Sequence, residues 1–260
     1  IPTLAQVIAG AVGLQQEELG YNAHFLYPSR GIGALPQAMV EHAGPIRLGS
    51  QPRSLQPGQR VLQTTQGERL SYDVLLSTAP LPSLLSLIEE LPAEVALRRS
   101  QLRQSPLRYF DVALRRAPGQ PYHWVYVPEA RYPFYRVGSY SNFSRHMVPE
   151  GCGSLYVELA ERDVADPTSL WERTVAGLIE LGWLTSPSDV QFHRLRSLDP
   201  AYVLYDAHHG EATAAVREYL SQRSVLSVGR YGGWNYSSME DALGFGYDAA
   251  EDALHRLSSL

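Results

Sequence analysis

The stretch Ser224-Val225-Leu226-Ser227-Val228-Gly229-Arg230-Tyr231-Gly232-Gly233-Trp234-Asn235-Tyr236-Ser237-Ser238-Met239 decides how the rest of the chain is read. It opens with a short apolar run, of the length and β-branched content that suit a buried strand over 224–228. Glycines follow at 229, 232 and 233, where backbone can come close to a ligand or to another segment. A glycine-rich connection over 229–236 then leads to a long helix over 238–257, with Ser237 or Ser238 placed to cap it. Such a junction offers free N–H groups and the positive end of a helix dipole to an anion or a polar ring edge. A plain turn before a capped helix satisfies the same pattern. It is not the dinucleotide fingerprint, in which G-x-G-x-x-G opens a helix directly, and that fingerprint occurs nowhere in the sequence.

Upstream, a helical pattern at Leu4, Val7, Ile8 and Val12 is followed by a glycine turn and a second helix carrying Leu35, Met39 and Val40. A hairpin is expected from 60–65 and 70–78, its second arm ending in Val74-Leu75-Leu76, a run typical of a strand buried on both faces. Helices over 81–88 and 94–102 precede strands over 107–115, 122–127, 134–140 and 154–159, which read as a mostly antiparallel sheet. A helix started by Asp166-Pro167 runs to 181, two strands cover 191–196 and 201–204, and a further helix covers 211–220.

Composition narrows the chemistry. The chain has 260 residues, a formal charge of -5, 44% hydrophobic and 19% charged residues, a globular balance with room for one large or two modest domains. No basic field exists to hold a nucleic-acid backbone, and no apolar run is long enough to span a membrane. The single cysteine, Cys152, cannot form an internal disulfide, which points to a reducing, cytoplasmic setting. All 22 basic residues are arginine, so Schiff-base chemistry and a phosphate-loop lysine are excluded. His208-His209 lacks a third spaced ligand, so no metal site is expected, and no hydrolase triad is indicated.

The segment from Gly229 to Ala242 resembles the C-terminal flavin-contacting motif of the FAD-dependent amine oxidase superfamily, in particular its UDP-galactopyranose-mutase and protoporphyrinogen-oxidase-like branches. Tyr27-Pro28-Ser29-Arg30-Gly31-Ile32-Gly33-Ala34-Leu35 is similar to the family's helix entry, with Arg30 in place of a usual glycine. Tyr72-Asp73-Val74-Leu75-Leu76-Ser77-Thr78-Ala79-Pro80-Leu81 is similar to the strand that returns to the flavin domain. Phe134-Tyr135-Arg136-Val137-Gly138-Ser139-Tyr140-Ser141-Asn142-Phe143-Ser144 resembles the segment that carries a diphosphate-binding arginine in the mutases.

The resemblance implies an α/β (α+β) fold: a partial FAD-binding domain over 42–90 and 222–260, interleaved with an antiparallel-sheet substrate domain over 1–41 and 91–221. The Rossmann segment that would hold the FAD pyrophosphate is missing from the sequence. For cofactor binding the resemblance implies Gly229, Arg230, Gly232, Gly233, Trp234, Ser238 and Met239; for substrate, Arg136, Arg230, Tyr135, Asn142 and Tyr236. Two guanidinium groups from distant segments can clamp a diphosphate, or each can pair with a carboxylate at a domain seam. The aromatic side chains can line a ring or simply pack, and Asn142 can be a ligand or a turn residue. The expected activity is part of a FAD-dependent enzyme: a mutase-like isomerase of nucleotide sugars using reduced flavin, an oxidoreductase of the amine oxidase or protoporphyrinogen oxidase type, or a cofactor-free binding module. The fragment alone is expected to be inactive and to hold FAD weakly, and the catalytic residues stay unassigned.

Overall fold

The computed structural model describes residues 25–160 and 166–259, so the helical pattern at Leu4, Val7, Ile8 and Val12 lies outside the described residues. Along the chain come α1 (Ala34–Val40), β1 (Pro52–Gln56), β2 (Val61–Thr64), β3 (Arg69–Ser71), β4 (Leu75–Ser77), α2 (Leu81–Ser86), α3 (Ala93–Gln101) and β5 (Gln104–Leu114). Then follow β6 (Trp124–Tyr126), β7 (Phe134–Gly138), α4 (Tyr140–Phe143), β8 (Gly153–Leu159), α5 (Pro167–Glu180) and β9 (Val190–Val203). The chain closes with α6 (His209–Ser221), β10 (Val225–Ser227), α7 (Gly229–Gly232) and α8 (Met239–Leu257).

The expected antiparallel sheet is present, with the order β6-β7-β8-β5-β9. Its spine is the long pair β5 and β9; the two strands expected over 191–204 are one, because a register shift between Ser105 and Leu107 absorbs Pro200 without ending the ladder. One face of this sheet buries Phe110, Val112, Phe134, Val137, Leu155 and Val157 against α5. Alternating side chains make that face apolar and leave the other face polar. Asp166 caps α5 by accepting from the N–H groups of Thr168 and Ser169 at 3.0 and 3.2 Å. Gly177 lets α5 settle closely, since a Cβ there would lie 2.9 Å from ring carbons of Tyr132 and Phe134.

A second core gathers Leu55, Leu81, Leu85, Val95, Val216, Leu220, Val225 and Trp234 from β1, α2, α3, α6, β10 and the loop after α7. Here the expected hairpin divides. Residues 69–71 fold back on β2 and, with β1, make a three-stranded antiparallel sheet, whereas β4 crosses to pair with β10 in parallel, Val225 opposite Leu75. Leu76 is 45% exposed, so β4 is not buried on both faces as its apolar run predicts; a two-stranded pair covers too little of it. Four consecutive residues, Val225 to Val228, line a groove of about 510 Å³ walled by α6 and α8. Consecutive rather than alternate lining means that the open edge of β10, not a face, forms the floor. Only Ala249 and Ala253 of α8 are buried.

Candidate functional site

The polar face of the five-stranded sheet carries the site, and a β-bulge aims it. On β7, Phe134 pairs with Leu159 and Arg136 with Glu158, so Tyr135 is an extra residue against β8. Phe134 and Val137 therefore both enter the core, at 1% and 0% exposure, while Tyr135 and Arg136 both turn to the polar face. There they converge on one carboxylate. The Tyr135 hydroxyl donates to Glu158 Oε2 at 2.6 Å, and Arg136 Nη2 donates to Glu158 Oε1. Arg136 Nη1 donates to the Tyr126 hydroxyl at 3.2 Å. Burial opposes the Arg136 charge, but the hydrogen bond and charge of Glu158 outweigh it and hold the guanidinium above its ordinary range. Burial, then the Glu158 hydrogen bond, push the Tyr135 hydroxyl up as well.

Beside this pair lies a cavity of about 310 Å³ whose walls include Tyr27, Tyr109, Tyr140, Phe143 and Tyr156, with Arg136 and Glu158 between them. Gly138 makes room for it: a Cβ there would fall 2.2 Å from the Tyr156 ring. Burial pushes the Tyr156 hydroxyl up to about 12 and raises that of Tyr140, so both stay protonated donors at neutral pH. Tyr27 stacks on Phe143 with ring centroids 5.0 Å apart, which brings the glycine turn to the cavity rim. Gly31, at φ +94°, takes the left-handed position of that turn, and Arg30 is exposed, so losing the usual glycine at 30 leaves the turn intact.

A second cavity of about 460 Å³ is lined by Tyr135 and Tyr202. The Arg230 guanidinium lies 4.6 Å from the Tyr236 ring centroid, 5.7 Å from Tyr231 and 5.9 Å from Tyr202. Its Nη1 donates to the Ser237 carbonyl at 2.7 Å and its Nη2 to the Ala201 carbonyl at 3.3 Å. No ion pair forms on it among the described residues. The carboxylate pairing open to both arginines thus holds for Arg136 and not for Arg230.

The remaining residues named from sequence divide in two. Asn142 serves the turn: its side-chain amide donates to the carbonyls of Gln120 and Tyr122 at 2.9 and 2.8 Å. Trp234 is fully buried in the second core, its backbone at φ +52° and its carbonyl 2.8 Å from His209 Nε2, so it cannot offer its ring to a ligand. Gly229 to Gly232 form the helical turn α7 rather than an extended connection. Two of its glycines serve internal contact: a Cβ on Gly232 would lie 2.7 Å from the Ser77 carbonyl, and one on Gly233 2.7 Å from that of Gly229. Ser238 is consumed by a capping box with Asp241, and Glu240 and Asp241 already complement the α8 dipole, which disfavours an anion there. Met239 is exposed, as is Tyr236, whose N–H donates to the Tyr205 hydroxyl at 2.7 Å.

Sequence reasoning overlooked Glu158, Tyr156, Tyr140, Tyr109 and Tyr202 as site residues. For β8 the signal was present: Leu155, Val157 and Leu159 alternate inward, which sends Tyr156 and Glu158 to the site face.

No protein-family model matches the sequence. The mixed α/β fold with its antiparallel sheet, which the motifs implied, is shared with about half of each of several solved structures. Among solved structures it is similar to reduced UDP-galactopyranose mutase, at 24% identity and a TM-score of 0.78, covering 88% of this chain and 52% of that one. It is also similar to a protein assigned as protoporphyrinogen oxidase from Exiguobacterium sp. 255-15 (16%, TM-score 0.66, 88% and 51% covered). A putrescine oxidase redesigned in its cofactor binding follows (12%, TM-score 0.65, 86% and 53% covered). The chain spans about half the length of these structures, and at these identities the likeness is one of fold.

The flavin that the resemblance of 229–242 implies finds a partial match in the glycine loop. Asn235 Oδ1 and Ser237 Oγ are buried there without a hydrogen-bond partner, and Gly229, Gly233 and Asn235 line the groove beside β10. Unsatisfied buried acceptors call for a polar partner, and a flavin edge supplies donors and acceptors of that kind. No helix among the described residues is long and apolar enough to cross a membrane, and no three His, Cys, Asp or Glu side chains gather there as metal ligands.

Proposed function

We propose that this chain is the substrate side of a FAD-dependent enzyme that isomerises a nucleotide sugar in the manner of a UDP-galactopyranose mutase. The observation that carries the reading is one aromatic surface holding two arginines of opposite state. Arg230, framed by tyrosine rings and paired with no carboxylate among the described residues, suits a diphosphate. The tyrosine-walled cavity beside Arg136 and Glu158 suits an uncharged sugar ring, with protonated hydroxyls as donors. Asn235, Ser237 and the backbone of Gly229 and Gly233 would hold a flavin edge. Bound reduced FAD would supply the chemistry at the anomeric carbon.

The division into a flavin side over 42–90 and 222–260 and a substrate side over 1–41 and 91–221 goes with this proposal. In it, α3 and α6 of the substrate side complete the second core. The nucleotide-binding Rossmann part would dock along the open edge of β10, where a parallel pair with a groove at its side invites a further strand. A second reading, an oxidoreductase of the amine oxidase or protoporphyrinogen oxidase type, draws support from the tyrosine-walled cavity, whose ring faces suit an amine.

The test is a visible spectrum of the purified protein before and after FAD addition, then anaerobic turnover of UDP-galactopyranose with the flavin reduced. Retained flavin and ring contraction support the mutase reading. Bleaching of oxidised flavin by an amine or a porphyrinogen favours the second reading. A protein that retains no flavin in the presence of its nucleotide-binding part overturns both.

A further inference from the structure

We propose that Glu158 is the specificity-determining residue of the tyrosine-walled cavity: by engaging Arg136, it admits an uncharged sugar ring and turns away one bearing a carboxylate. The inference rests on the nucleotide-sugar reading above and goes beyond it by assigning the discrimination to one side chain. A free arginine in a sugar pocket is a natural fork for a uronic-acid carboxylate. Arg136 is not free. One of its terminal nitrogens is bonded to Glu158 and the other to the Tyr126 hydroxyl, and its Nε is buried with no partner.

Glu158 is held firmly in that position, because its second oxygen accepts from Tyr135 and its side chain is only 6% exposed. A ligand carboxylate placed at this wall would meet a like charge that water screens poorly, and like-charge contact in such a setting is a strong rejecting element. Of the other charged residues on this face, Asp111 and Arg196 are also joined, at 2.7 Å, and Arg194, which faces Asp111 in the ladder, is exposed to solvent. What remains are hydroxyls of Tyr109, Tyr140 and Tyr156 beside Leu107 and Leu198, a lining matched to a ring with hydroxyl groups and C–H faces.

The test is calorimetric titration of UDP, UDP-galactose and UDP-galacturonic acid into the protein, into Glu158→Gln and into the double variant Arg136→Gln/Glu158→Gln. The native protein is expected to bind UDP-galactose about tenfold more tightly than UDP-galacturonic acid, a gap of the size set by one close like-charge contact. Glu158→Gln releases Arg136, so the preference for UDP-galactose over UDP-galacturonic acid should fall by about tenfold, with UDP itself as the control for the diphosphate end. That fall should vanish in the double variant, which removes the fork. UDP binding with the same galactose-to-galacturonate ratio in native protein and Glu158→Gln overturns the inference alone. UDP binding to none of the proteins overturns the nucleotide-sugar reading and this inference with it. Should Glu158→Gln fail to fold, equal affinity of the native protein for the two sugars is itself sufficient to reject the role of Glu158.

Discussion

Arg136 and Arg230 both come near Tyr202 but are held by different structural means. Arg136 stands on a sheet strand, pushed out of alternation by a bulge and answered across the ladder by a carboxylate. Arg230 stands in a single helical turn, answered by main-chain carbonyls and tyrosine rings. The first arrangement fixes a neutral wall; the second keeps a positive charge that no carboxylate among the described residues answers. The comparison teaches that an arginine motif alone does not distinguish a phosphate ligand from half of an internal ion pair; the residue facing it does.

Within the Arg230 loop, two neighbouring aromatics bound the comparison. Trp234→Ala should cost about 3–5 kcal/mol in urea unfolding, because it empties a fully buried site in the second core. Tyr236→Ala, at a residue 66% exposed, should stay within about 0.5 kcal/mol while weakening UDP binding. The arginines themselves come next. Arg136→Ala strands Glu158 in the wall and should cost about 3 kcal/mol, against about 1 kcal/mol for Arg230→Ala, which gives up hydrogen bonds to carbonyls. Equal losses in the two variants would dissolve the contrast drawn above.

Of similar size is Gly232→Ala, which forces a methyl group against the Ser77 carbonyl and should cost about 1–3 kcal/mol by thermal or urea unfolding. The weakest effect concerns Asp189, near the first core. Its carboxyl is held below its ordinary range, first by the Thr185 N–H and then by the Thr185 hydroxyl. A depressed carboxyl stabilises the fold above its unfolded value of about 4 and loses that contribution as pH falls through the lower folded value. Asp189→Asn should therefore lower the melting temperature at neutral pH, and the difference from the native protein should close as the pH drops below about 4.

The sequence made the periodic elements legible. Apolar alternation located β5 and β8, and Asp166-Pro167 located the start of α5. What escaped depended on distant partners. Nothing local to 69–77 says that its two halves join different sheets, since the choice is made by β10 some 150 residues later, as the pairing of Leu75 with Val225 shows. Site legibility failed for a related reason. Arg136 was visible as a cation, but its state is set by Glu158 from another strand, and the glycines at 232 and 233 were visible as close-approach positions without any sign that the approaching atoms belong to the chain itself. Around Arg230 the partners are mixed: Tyr231, Tyr236 and Ser237 are sequence neighbours, whereas Ala201 and Tyr202 come from β9.

The bulge at Tyr135 has a consequence for how such a wall can diverge among descendants of one ancestor. Because the extra residue, and not the identity of its neighbours, turns positions 135 and 136 outward together, point changes there can exchange one polar function for another at little cost to the hydrophobic packing. Loss of a single codon in the same place would restore strict alternation and carry either a polar group inward or an apolar one out. Lineages descending from this architecture should thus vary freely in the letters at these two positions and hardly at all in the spacing between Phe134 and Val137.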